Sequence, residues 1–429
     1  MPFQHPFLDI LFLISVVSIW LMIGYQIILT FAGYRYRQQT HRDHQEILAA
    51  GQDLESVTIL IPARNEGIVI GATLEAMQQL DYPRDKLEIL VINDGSTDET
   101  AEVIDAVTQQ DQRVRQIRLP ESEHGHGKAH ALNVGLQAAG SALIAVYDAD
   151  NRPQPDALKI LVPHLASDDK MAAVIGKFRT INRHRNWLTR LINIETLAFQ
   201  WILQAGRYHL SKVAILPGTN YVIRKTALQS CRGWDENAIT EDSELSVRLY
   251  QLGYYIKFVP LSITWEQEPE QLSVWLRQRT RWVRGNNYVL RKFAGKTYRL
   301  RSKFLLMEFI YLFALYYLFL IAIIISHILF ILSAGGLISL NIPGPYTAVW
   351  ISAFFLFILE IIVVLSYERE DSLFNILLTI AMYFTYCQFW LFVVFKALIL
   401  DAVGHRKGIW DKTVRYNLNE RGKLDAPEL

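Results

Sequence analysis

The stretch ALIAVYDAD, residues 142–150, decides the fold, because a buried strand runs directly into two carboxylates. Its apolar first part is typical of a strand that is covered on both faces of a sheet. Asp148 and Asp150 follow, and in an extended chain residues two apart point to the same side. Two like charges held together are unfavourable unless a cation neutralises them, and Mg2+ or Mn2+ favours such oxygen ligands. The alternative is a solvated turn, which an isolated Asp-x-Asp does not exclude.

Strands and helices alternate from residue 57 to residue 147, which predicts an α/β domain with a mostly parallel sheet. Short runs rich in Val, Ile and Leu indicate strands, and the first three are each followed by apolar residues at helical spacing. The predicted strands are 57–61, 87–92, 114–119 and 142–147, and the predicted helices are 68–80, 99–109 and 128–139.

Acidic residues follow three of these strands. Glu66 comes after the first strand, Asp94 after the second, and Asp148 and Asp150 after the fourth. Ligands of open parallel sheets bind beyond the carboxyl ends of the strands, so we expect one nucleotide site with a metal over the phosphates. No Gly-x-Gly-x-x-Gly follows the first strand and no Walker-type Gly-Lys-Ser/Thr occurs, which argues against a dinucleotide fold and a P-loop ATPase.

The remaining chain predicts a membrane protein. Hydrophobic residues make up 51% of the 429 positions and concentrate in four segments long enough to cross a hydrocarbon core of ~30 Å. Arg35, Arg37 and Arg42 follow the first segment, so the positive-inside rule places the N-terminus outside and the next domain in the cytoplasm. The candidate segments are 7–31, 305–332, 346–366 and 373–395.

The sequence does not decide on which side of the membrane the C-terminus lies. Four crossings from an outside N-terminus end outside, whereas the basic residues between Lys396 and Arg415 predict a cytoplasmic C-terminus. One segment is therefore interfacial or re-entrant, and hydropathy does not decide which. Four spans are few for a translocation channel, so we expect interfacial helices or an accessory membrane subunit to contribute.

Charge and cysteine content argue against other classes of protein. The net charge is +1, so we expect no nucleic acid as a partner. Cys231 and Cys387 are the two cysteines, which implies no disulfide framework and fits a cytoplasmic catalytic domain.

Two later segments combine apolar and charged residues at helical spacing. Residues 186–208 fit either a core helix or a helix in the membrane interface, and residues 271–292, basic and Trp-bearing, are typical of an interfacial helix. Asp242 falls in the first turn of another predicted amphipathic helix, where a carboxylate can simply compensate the helix dipole.

Together these pieces resemble the family-two glycosyltransferases, in particular the membrane-embedded processive branch of cellulose, hyaluronan and poly-N-acetylglucosamine synthases. The resemblance covers about residues 55–290 and the flanking apolar helices. Each motif is short, but their order and spacing are specific as a set. The matching motifs are IPARNE (61–66), NDGS (93–96), GKAHALN (127–133), DAD (148–150), TED (240–242) and QRTRW (278–282).

The resemblance implies a GT-A-type nucleotide-sugar domain with flanking interfacial and transmembrane helices, a UDP-sugar donor, and Mg2+ or Mn2+ as cofactor. By resemblance, Asp94 contacts the uracil and Asp242 is the general base on the acceptor hydroxyl. Asp148 and Asp150 hold the diphosphate through the metal. The other donor-site residues implied are Glu66, Lys128, Gln278 and Arg281, and the acceptor-site residues are Trp282 and Glu241.

The implied reaction is direct displacement with inversion, in which a UDP-sugar elongates a β-linked polysaccharide of the poly-N-acetylglucosamine or β-glucan type. A single-addition glycolipid synthase, for example of glucosyl-diacylglycerol, would use the same residues and stays open as an alternative. Retention of every carboxylate in the motifs argues against a non-catalytic membrane scaffold or permease.

The chain is expected in the cell membrane as a multi-pass protein with a cytoplasmic catalytic domain and the lipid bilayer as a partner. Its expected parts are an N-terminal transmembrane anchor at 1–34, the glycosyltransferase domain at 55–270, an interfacial region at 271–303, transmembrane helices at 304–400 and a tail at 401–429.

Overall fold

The structure is a computed structural model that describes residues 5–49, 51, 53–295, 303–342, 345–404 and 415–416. These residues form an α/β part, built around one sheet, and a set of long apolar helices. Most of the predicted tail lies outside the described residues, including His405, Arg406, Lys407 and Lys412.

An eight-stranded mixed sheet is the centre of the α/β part. In chain order its strands are β1 Val57–Ala63, β2 Leu87–Asn93, β3 Val114–Arg118, β4 Leu143–Val146, β5 Arg152–Pro153, β6 Met171–Thr180, β7 Tyr221–Arg224 and β8 Tyr255–Glu266. Across the sheet the order is β3-β2-β1-β4-β7-β6-β8-β5.

The four strands that were predicted from the sequence, β1 to β4, pair with one another in parallel. β1 is parallel to β2 and β4, and β3 is parallel to β2. β7 is antiparallel to both β4 and β6, β5 is antiparallel to β8, and β6 is parallel to β8. The prediction of a mostly parallel sheet is confirmed, and the antiparallel pairs all involve strands after Asp150, where the sequence pattern predicted no strand.

Fifteen α-helices flank or follow the sheet in the described part of the chain. In order they are α1 Pro6–Ala49, α2 Gly67–Gln78, α3 Thr100–Gln110, α4 Lys128–Ala138, α5 Ala157–Ala166, α6 Trp187–Ala198, α7 Gly206–Ser211, α8 Lys225–Ser230, α9 Glu241–Gln251, α10 Leu272–Ala294, α11 Lys303–Phe313, α12 Leu320–Ala334, α13 Tyr346–Tyr367, α14 Leu373–Phe384 and α15 Tyr386–Ala402. Wider π-helical turns at Phe199–Ala205 and Ala314–Phe319 continue α6 into α7 and α11 into α12.

Apolar side chains cover both faces of the sheet. One core includes Ile70 of α2 and Ile104 of α3, and the other includes Leu132 of α4 and Leu245 of α9. β1 and β4 are buried along their whole length, as expected for strands between two helical layers. The loops after these strands are therefore where the sheet can present polar groups to a ligand.

α1 packs closely on the α/β part through two glycines. A Cβ at Gly33 of α1 would collide with the carbonyl of Trp201, and a Cβ at Gly206 would collide with the carbonyl of Leu29. Helix backbones approach this closely only at residues without side chains. The first apolar helix is thus fixed directly against the sheet-bearing part of the protein.

Within the described residues, four helical segments are long and apolar enough to cross a membrane, by length and composition. They match the four predicted segments, although the first and the last extend further than hydropathy indicated. Their bounds are Pro6–Ala49, Phe309–Ala334, Ala348–Tyr367 and Leu373–Ala402.

The fourth segment begins against the α/β part. In the link before it, Glu368 pairs with Lys177 of β6 at 2.6 Å and Glu370 pairs with Arg183 at 3.1 Å. These side chains are mostly buried. Removing one partner of a buried ion pair is strongly destabilising, so these contacts hold the link at the sheet.

The fourth segment also ends against the α/β part. The helix breaks at Thr385 (φ −122°, ψ −78°), and α15 then packs along α10. Asp401 pairs with Arg284 of α10 at 2.8 Å, and Lys292 of α10 pairs with Asp235 of the α/β part at 2.5 Å. Both ends of this apolar segment therefore contact the α/β part, the first directly and the second through α10.

Candidate active site

A cavity of about 700 Å3 opens at the carboxyl ends of β1 and β4 and continues between α10 and the apolar helices α11 to α15. Every predicted site residue except Asp94 lines this cavity. Those residues are Glu66, Lys128, Asp148, Asp150, Glu241, Asp242, Gln278, Arg281 and Trp282.

Asp94 does not line the cavity and is fully buried. Its Oδ1 accepts a hydrogen bond from the N–H of Gly125 at 2.7 Å, and Arg64 Nη1 lies 3.8 Å from its Oδ2. Burial raises the pKa of this carboxyl above its ordinary value. In this conformation Asp94 joins the loop after β2 to the loop before α4.

Asp148 and Lys128 of α4 both line the cavity and form an ion pair. The distance from Lys128 Nζ to Asp148 Oδ1 is 2.5 Å, and the same ammonium donates to the carbonyl of Gly218 at 2.9 Å. Burial alone would lower the pKa of Lys128, but the charges of Asp148 and Glu241 raise it above its ordinary value. Lys128 is therefore a permanently charged residue that orients Asp148.

Asp150 is more deeply buried than Asp148, with 3% of its side chain exposed. Its Oδ2 accepts a hydrogen bond from the N–H of Gln267 at 3.2 Å and lies 2.8 Å from Nη1 of Arg415, in the C-terminal tail. Burial raises the pKa of Asp150, while the Arg415 guanidinium opposes that rise.

Asp148 and Asp150 are the residues that fit a divalent cation. Among the described residues, no cluster of three or more His, Cys, Asp or Glu side chains is arranged as a metal site. Mg2+ is commonly held by one or two carboxylates and completes its shell with water and substrate phosphates, and Mn2+ favours similar oxygen ligands. The pair therefore suits a cation that is bound together with a diphosphate.

Asp242 lies half-buried in the first turn of α9. Its Oδ1 accepts a hydrogen bond from the N–H of Ser243 at 2.7 Å, while the carboxylate lines the cavity. Burial, reinforced by the negative charge of Glu241, raises the pKa of Asp242 to about 7. A carboxylate with this pKa is a stronger base than an ordinary Asp and is still ionised above neutral pH.

Gly218 separates Asp242 from Lys128. Its φ of +89° is one that L side chains rarely adopt, and a Cβ there would lie 2.8 Å from Asp242 Oδ2 and 3.5 Å from Lys128 Nζ. A glycine at this position keeps the space beside the carboxylate open.

Gln278, Arg281 and Trp282 lie on one face of α10, since positions three and four apart are neighbours on a helix. All three are half-buried on the cavity. Arg281 Nε has no hydrogen-bond partner among the described residues. This face therefore presents a cation and an indole ring to any molecule in the cavity.

A buried ion cluster fixes the orientation of this face. Arg279 is 1% exposed and pairs with Glu195 of α6 at 2.6 Å. Glu195 also accepts hydrogen bonds from the hydroxyl of Tyr386 at 2.7 Å and from the indole N–H of Trp390 at 2.9 Å. The Arg279 guanidinium lies 3.9 Å from the centre of the Trp282 ring, a cation–π contact that holds the indole in place.

Gly218, Arg279 and Arg415 also belong to this site but were not among the predicted site residues. From the sequence Arg279 could not be distinguished from the other arginines of the basic helix. Gly218 and Arg415 lie in segments without a recognised motif. Their importance follows from contacts with residues that are distant in the sequence.

Comparisons with known proteins identify the family of this chain. A family model described as "Glycosyltransferase like family 2" matches residues 55–285. The probable glycosyltransferase YdaM of Bacillus subtilis (strain 168) is 41% identical over 417 residues, which cover 96% of this chain and 99% of that protein. The poly-beta-1,6-N-acetyl-D-glucosamine synthase of Staphylococcus aureus (strain COL) is 32% identical over 238 residues, 56% of each chain.

The fold is also similar to that of a solved enzyme. The mannosyltransferase PcManGT from Pyrobaculum calidifontis, in complex with GDP-Man and Mn2+, superposes with a TM-score of 0.54 at 18% identity. The match covers 85% of this chain and 99% of that one. At this identity the likeness concerns the fold alone, and the predicted GT-A-type fold with flanking helices is confirmed.

Proposed function

The chain belongs to glycosyltransferase family 2, and on this basis we propose that it uses a UDP-sugar to elongate a β-linked polysaccharide at the cytoplasmic face of the cell membrane. The observation that carries the proposal is the shared cavity: Asp242, Arg281 and the Asp148–Asp150 pair line one space that continues between the apolar helices. The activity named for the Staphylococcus aureus relative supports a polysaccharide of the poly-N-acetylglucosamine type, with a β-glucan as the other expected product.

In the proposed reaction Asp242 accepts the proton of the acceptor hydroxyl as that oxygen attacks C1 of the donor sugar. The bond from C1 to the diphosphate breaks as the new glycosidic bond forms, so an α-linked donor gives a β-linked product. A positioned general base typically contributes ~10²–10⁴-fold to the rate. The raised pKa of Asp242 makes this carboxylate suited to the role near neutral pH.

The other charges are proposed to bind and stabilise the leaving diphosphate. Arg281 faces the cavity, where a cation binds the diphosphate more strongly as its negative charge develops. Lys128 holds Asp148 in place at 2.5 Å, and Asp148 and Asp150 would bind Mg2+ or Mn2+. When bound, such a metal acts as a Lewis acid on the leaving group. Glu66, Asp94 and Gln278 complete the proposed donor site. Glu241, next to the base in the sequence, is proposed to contact the acceptor together with Trp282.

A second candidate, a single-addition glycolipid synthase, is favoured by the far end of the cavity. That end lies between the helices that could cross a membrane and has mostly apolar walls, which also suit a hydrocarbon chain. The residues concerned are Leu312, Leu315, Phe319, Leu320, Ile323, Phe357, Ile361 and Met382.

Trp282→Ala is expected to separate the two candidates. A polysaccharide synthase must hold the chain end between additions, and the indole beside the base is a flat surface for the terminal sugar. The variant should therefore make short products or none while slow hydrolysis of the UDP-sugar continues. The measurement is the size of radiolabelled product from membranes incubated with UDP-glucose or UDP-N-acetylglucosamine.

Trp187→Ala is the matched control, because Trp187 is 65% exposed and outside the cavity, and its product should keep the wild-type size. Wild-type label found solely in a chloroform-soluble monoglycosyl lipid would contradict the polysaccharide proposal. The family assignment and the base would be unaffected.

We also propose a membrane topology that places the C-terminus on one side of the membrane. Three segments cross the membrane, and Leu373–Ala402 enters and leaves on the catalytic side. The supporting observation is that Glu370, just before this segment, and Asp401, at its end, both pair with the part of the protein that carries the site. The basic C-terminus then lies in the cytoplasm, in agreement with the positive-inside rule.

Cysteine labelling on intact cells tests this topology in a background with Cys231 and Cys387 replaced by Ser. Ser372→Cys and Val403→Cys should react with a membrane-impermeant maleimide only after permeabilisation, because both flank the re-entrant segment. Leu337→Cys, in the exposed link after α12, should react from outside. Labelling of Val403→Cys in intact cells would show that the last segment crosses.

A further inference from the structure

His130 of α4 lies between two glutamates that come from different loops. Its Nε2 is 3.1 Å from Glu123 Oε2, and its Nδ1 is 3.2 Å from Glu236 Oε2. The side chain of His130 is 16% exposed. An ionised carboxylate can only accept hydrogen bonds, and a neutral imidazole carries a single N–H. Both contacts are therefore favourable together only when the ring is an imidazolium.

Glu236 begins the segment that leads to the proposed base. Residues 236–243 line the cavity without a break, and Asp242 is one of them. The other oxygen of Glu236 accepts a hydrogen bond from Asn133 Nδ2 at 2.9 Å. His130 and Asn133 are three residues apart and so lie on one face of α4. This face of the helix holds the beginning of the segment.

The same helix contacts the segment again directly before the base. Lys128, the first residue of α4, has its Nζ 3.7 Å from Glu241 Oε1 and 2.5 Å from Asp148 Oδ1. The segment is thus attached to α4 at Glu236 and at Glu241. Loss of the contact with His130 would weaken the first of these two attachments and leave the second in place.

The second glutamate connects His130 to the loop before α4. Glu123 ends a short 3₁₀ turn at Glu121–Glu123, and the loop continues to Gly127. His126 of this loop lines the cavity, and its ring contacts the His130 ring edge to face, with 5.0 Å between the ring centres. One imidazole outside the cavity therefore links two loops that both contribute to its wall.

The charge of His130 depends on these neighbours. Burial alone would lower the pKa of His130, but the contacts with Glu123 and Glu236 raise it above its ordinary value. A histidine with a raised pKa is charged at low pH and loses its charge, with the contacts that need it, as the pH rises through that pKa. The titratable groups that face the ring are Glu123 and His126 from the loop before α4, Glu236 from the loop before α9, and Asp94 after β2.

We propose that His130 is a positioning residue, which as an imidazolium holds the segment 236–243 against α4 and so keeps Asp242 in place for proton transfer. This inference rests on Asp242 as the base in the proposed function. Loss of the ring proton leaves one N–H for two glutamates, so one of the two links opens. Turnover should then decline while the donor still binds.

The test compares wild type with His130→Gln as full-length protein in nanodiscs. At neutral pH the variant should have a kcat about tenfold lower, less than the ~10²-fold that a 1 Å misplacement of a reacting group can cost, with the donor KM unchanged. The ratio of the two kcat values should fall towards one as the pH rises, because wild type then loses the imidazolium as well. Division cancels the titration of Asp242, which both proteins share. His41→Gln, at an exposed position of α1 outside the cavity, is the matched control and should behave as wild type.

A second measurement does not depend on activity. Diethyl pyrocarbonate acylates neutral imidazole, so the pH dependence of His130 modification, followed by mass spectrometry, gives the pKa of this residue. The midpoint should lie above the ordinary ~6.5 in wild type and should be lower in Glu236→Gln, which removes the charge but keeps an oxygen for Asn133. Glu236→Gln should also lower kcat without changing the donor KM.

A wild-type midpoint at or below ~6.5, or a kcat ratio that stays constant with pH, would overturn the inference. Failure of the proposed function would appear differently, as wild-type protein that transfers no sugar from a UDP-sugar donor while His130 still titrates with a raised pKa.

Discussion

Asp242→Asn is expected to lower kcat by ~10²–10⁴-fold while binding of the UDP-sugar donor persists. The amide keeps the size of the side chain, and its oxygen can still accept the hydrogen bond from the Ser243 N–H that Asp242 accepts at 2.7 Å. It cannot take up the proton of the acceptor hydroxyl. The measurement is single-turnover transfer with labelled donor, alongside donor affinity by equilibrium binding.

The same substitution distinguishes a base from a purely structural residue in the first turn of α9. Asn can keep the hydrogen bond from Ser243 and loses only the compensation of the helix dipole, typically ~0.3–1 kcal/mol, so a purely structural role predicts near-normal turnover in Asp242→Asn. Asp235→Asn is the matched control, since Asp235 is a carboxylate bound to Lys292 outside the cavity, and its kcat should stay close to wild type. Near-normal turnover in Asp242→Asn would show that Asp242 is not the general base.

The pH profile of transfer follows from the same residue. The pKa of Asp242 is raised to about 7 by burial and by Glu241, so the carboxyl is protonated below neutral pH and cannot act as a base there. kcat/KM for the donor should therefore rise with pH through about 7 and level off above it. The residual activity of Asp242→Asn should lack this rise.

Removal of the metal is the second large effect that we expect. EDTA should abolish transfer, by on the order of 10³-fold or more, because a metal contributes several kcal/mol of charge stabilisation to the leaving group. Mg2+ or Mn2+ should restore the wild type but not Asp150→Ala. Asp150→Asn, which can still accept the N–H of Gln267, should also resist rescue and so separates metal binding from local structure.

Asp81→Ala serves as the control for Asp150→Ala, because Asp81 is exposed and pairs with Lys159 away from the cavity. Its activity and its response to EDTA should match those of the wild type. Full wild-type activity in excess chelator would contradict the assignment of Asp148 and Asp150 as metal ligands.

Local sequence pattern was sufficient for most of the α/β part. The alternating apolar runs predicted β1 to β4 and the helices between them. A strand in a sheet that is covered on both faces must be apolar along its length, and this depends only on the residue types of that short segment. Gln278, Arg281 and Trp282 were predicted as site residues by the resemblance, and all three line the cavity from α10. Most of the candidate site could thus be named from motifs at strand ends and helix starts.

Tertiary structure alone decided how distant charges meet and which residues the two ends of the last apolar segment contact. Hydropathy adds contributions from neighbouring residues, so it detected Leu373–Ala402 but could not distinguish a crossing from a return. The pairs Arg279–Glu195 and Arg415–Asp150 join residues far apart in the chain, and no local periodicity encodes them. An ion pair depends on distance and burial in the folded state, and these are properties that a segment acquires only when the rest of the chain is packed around it.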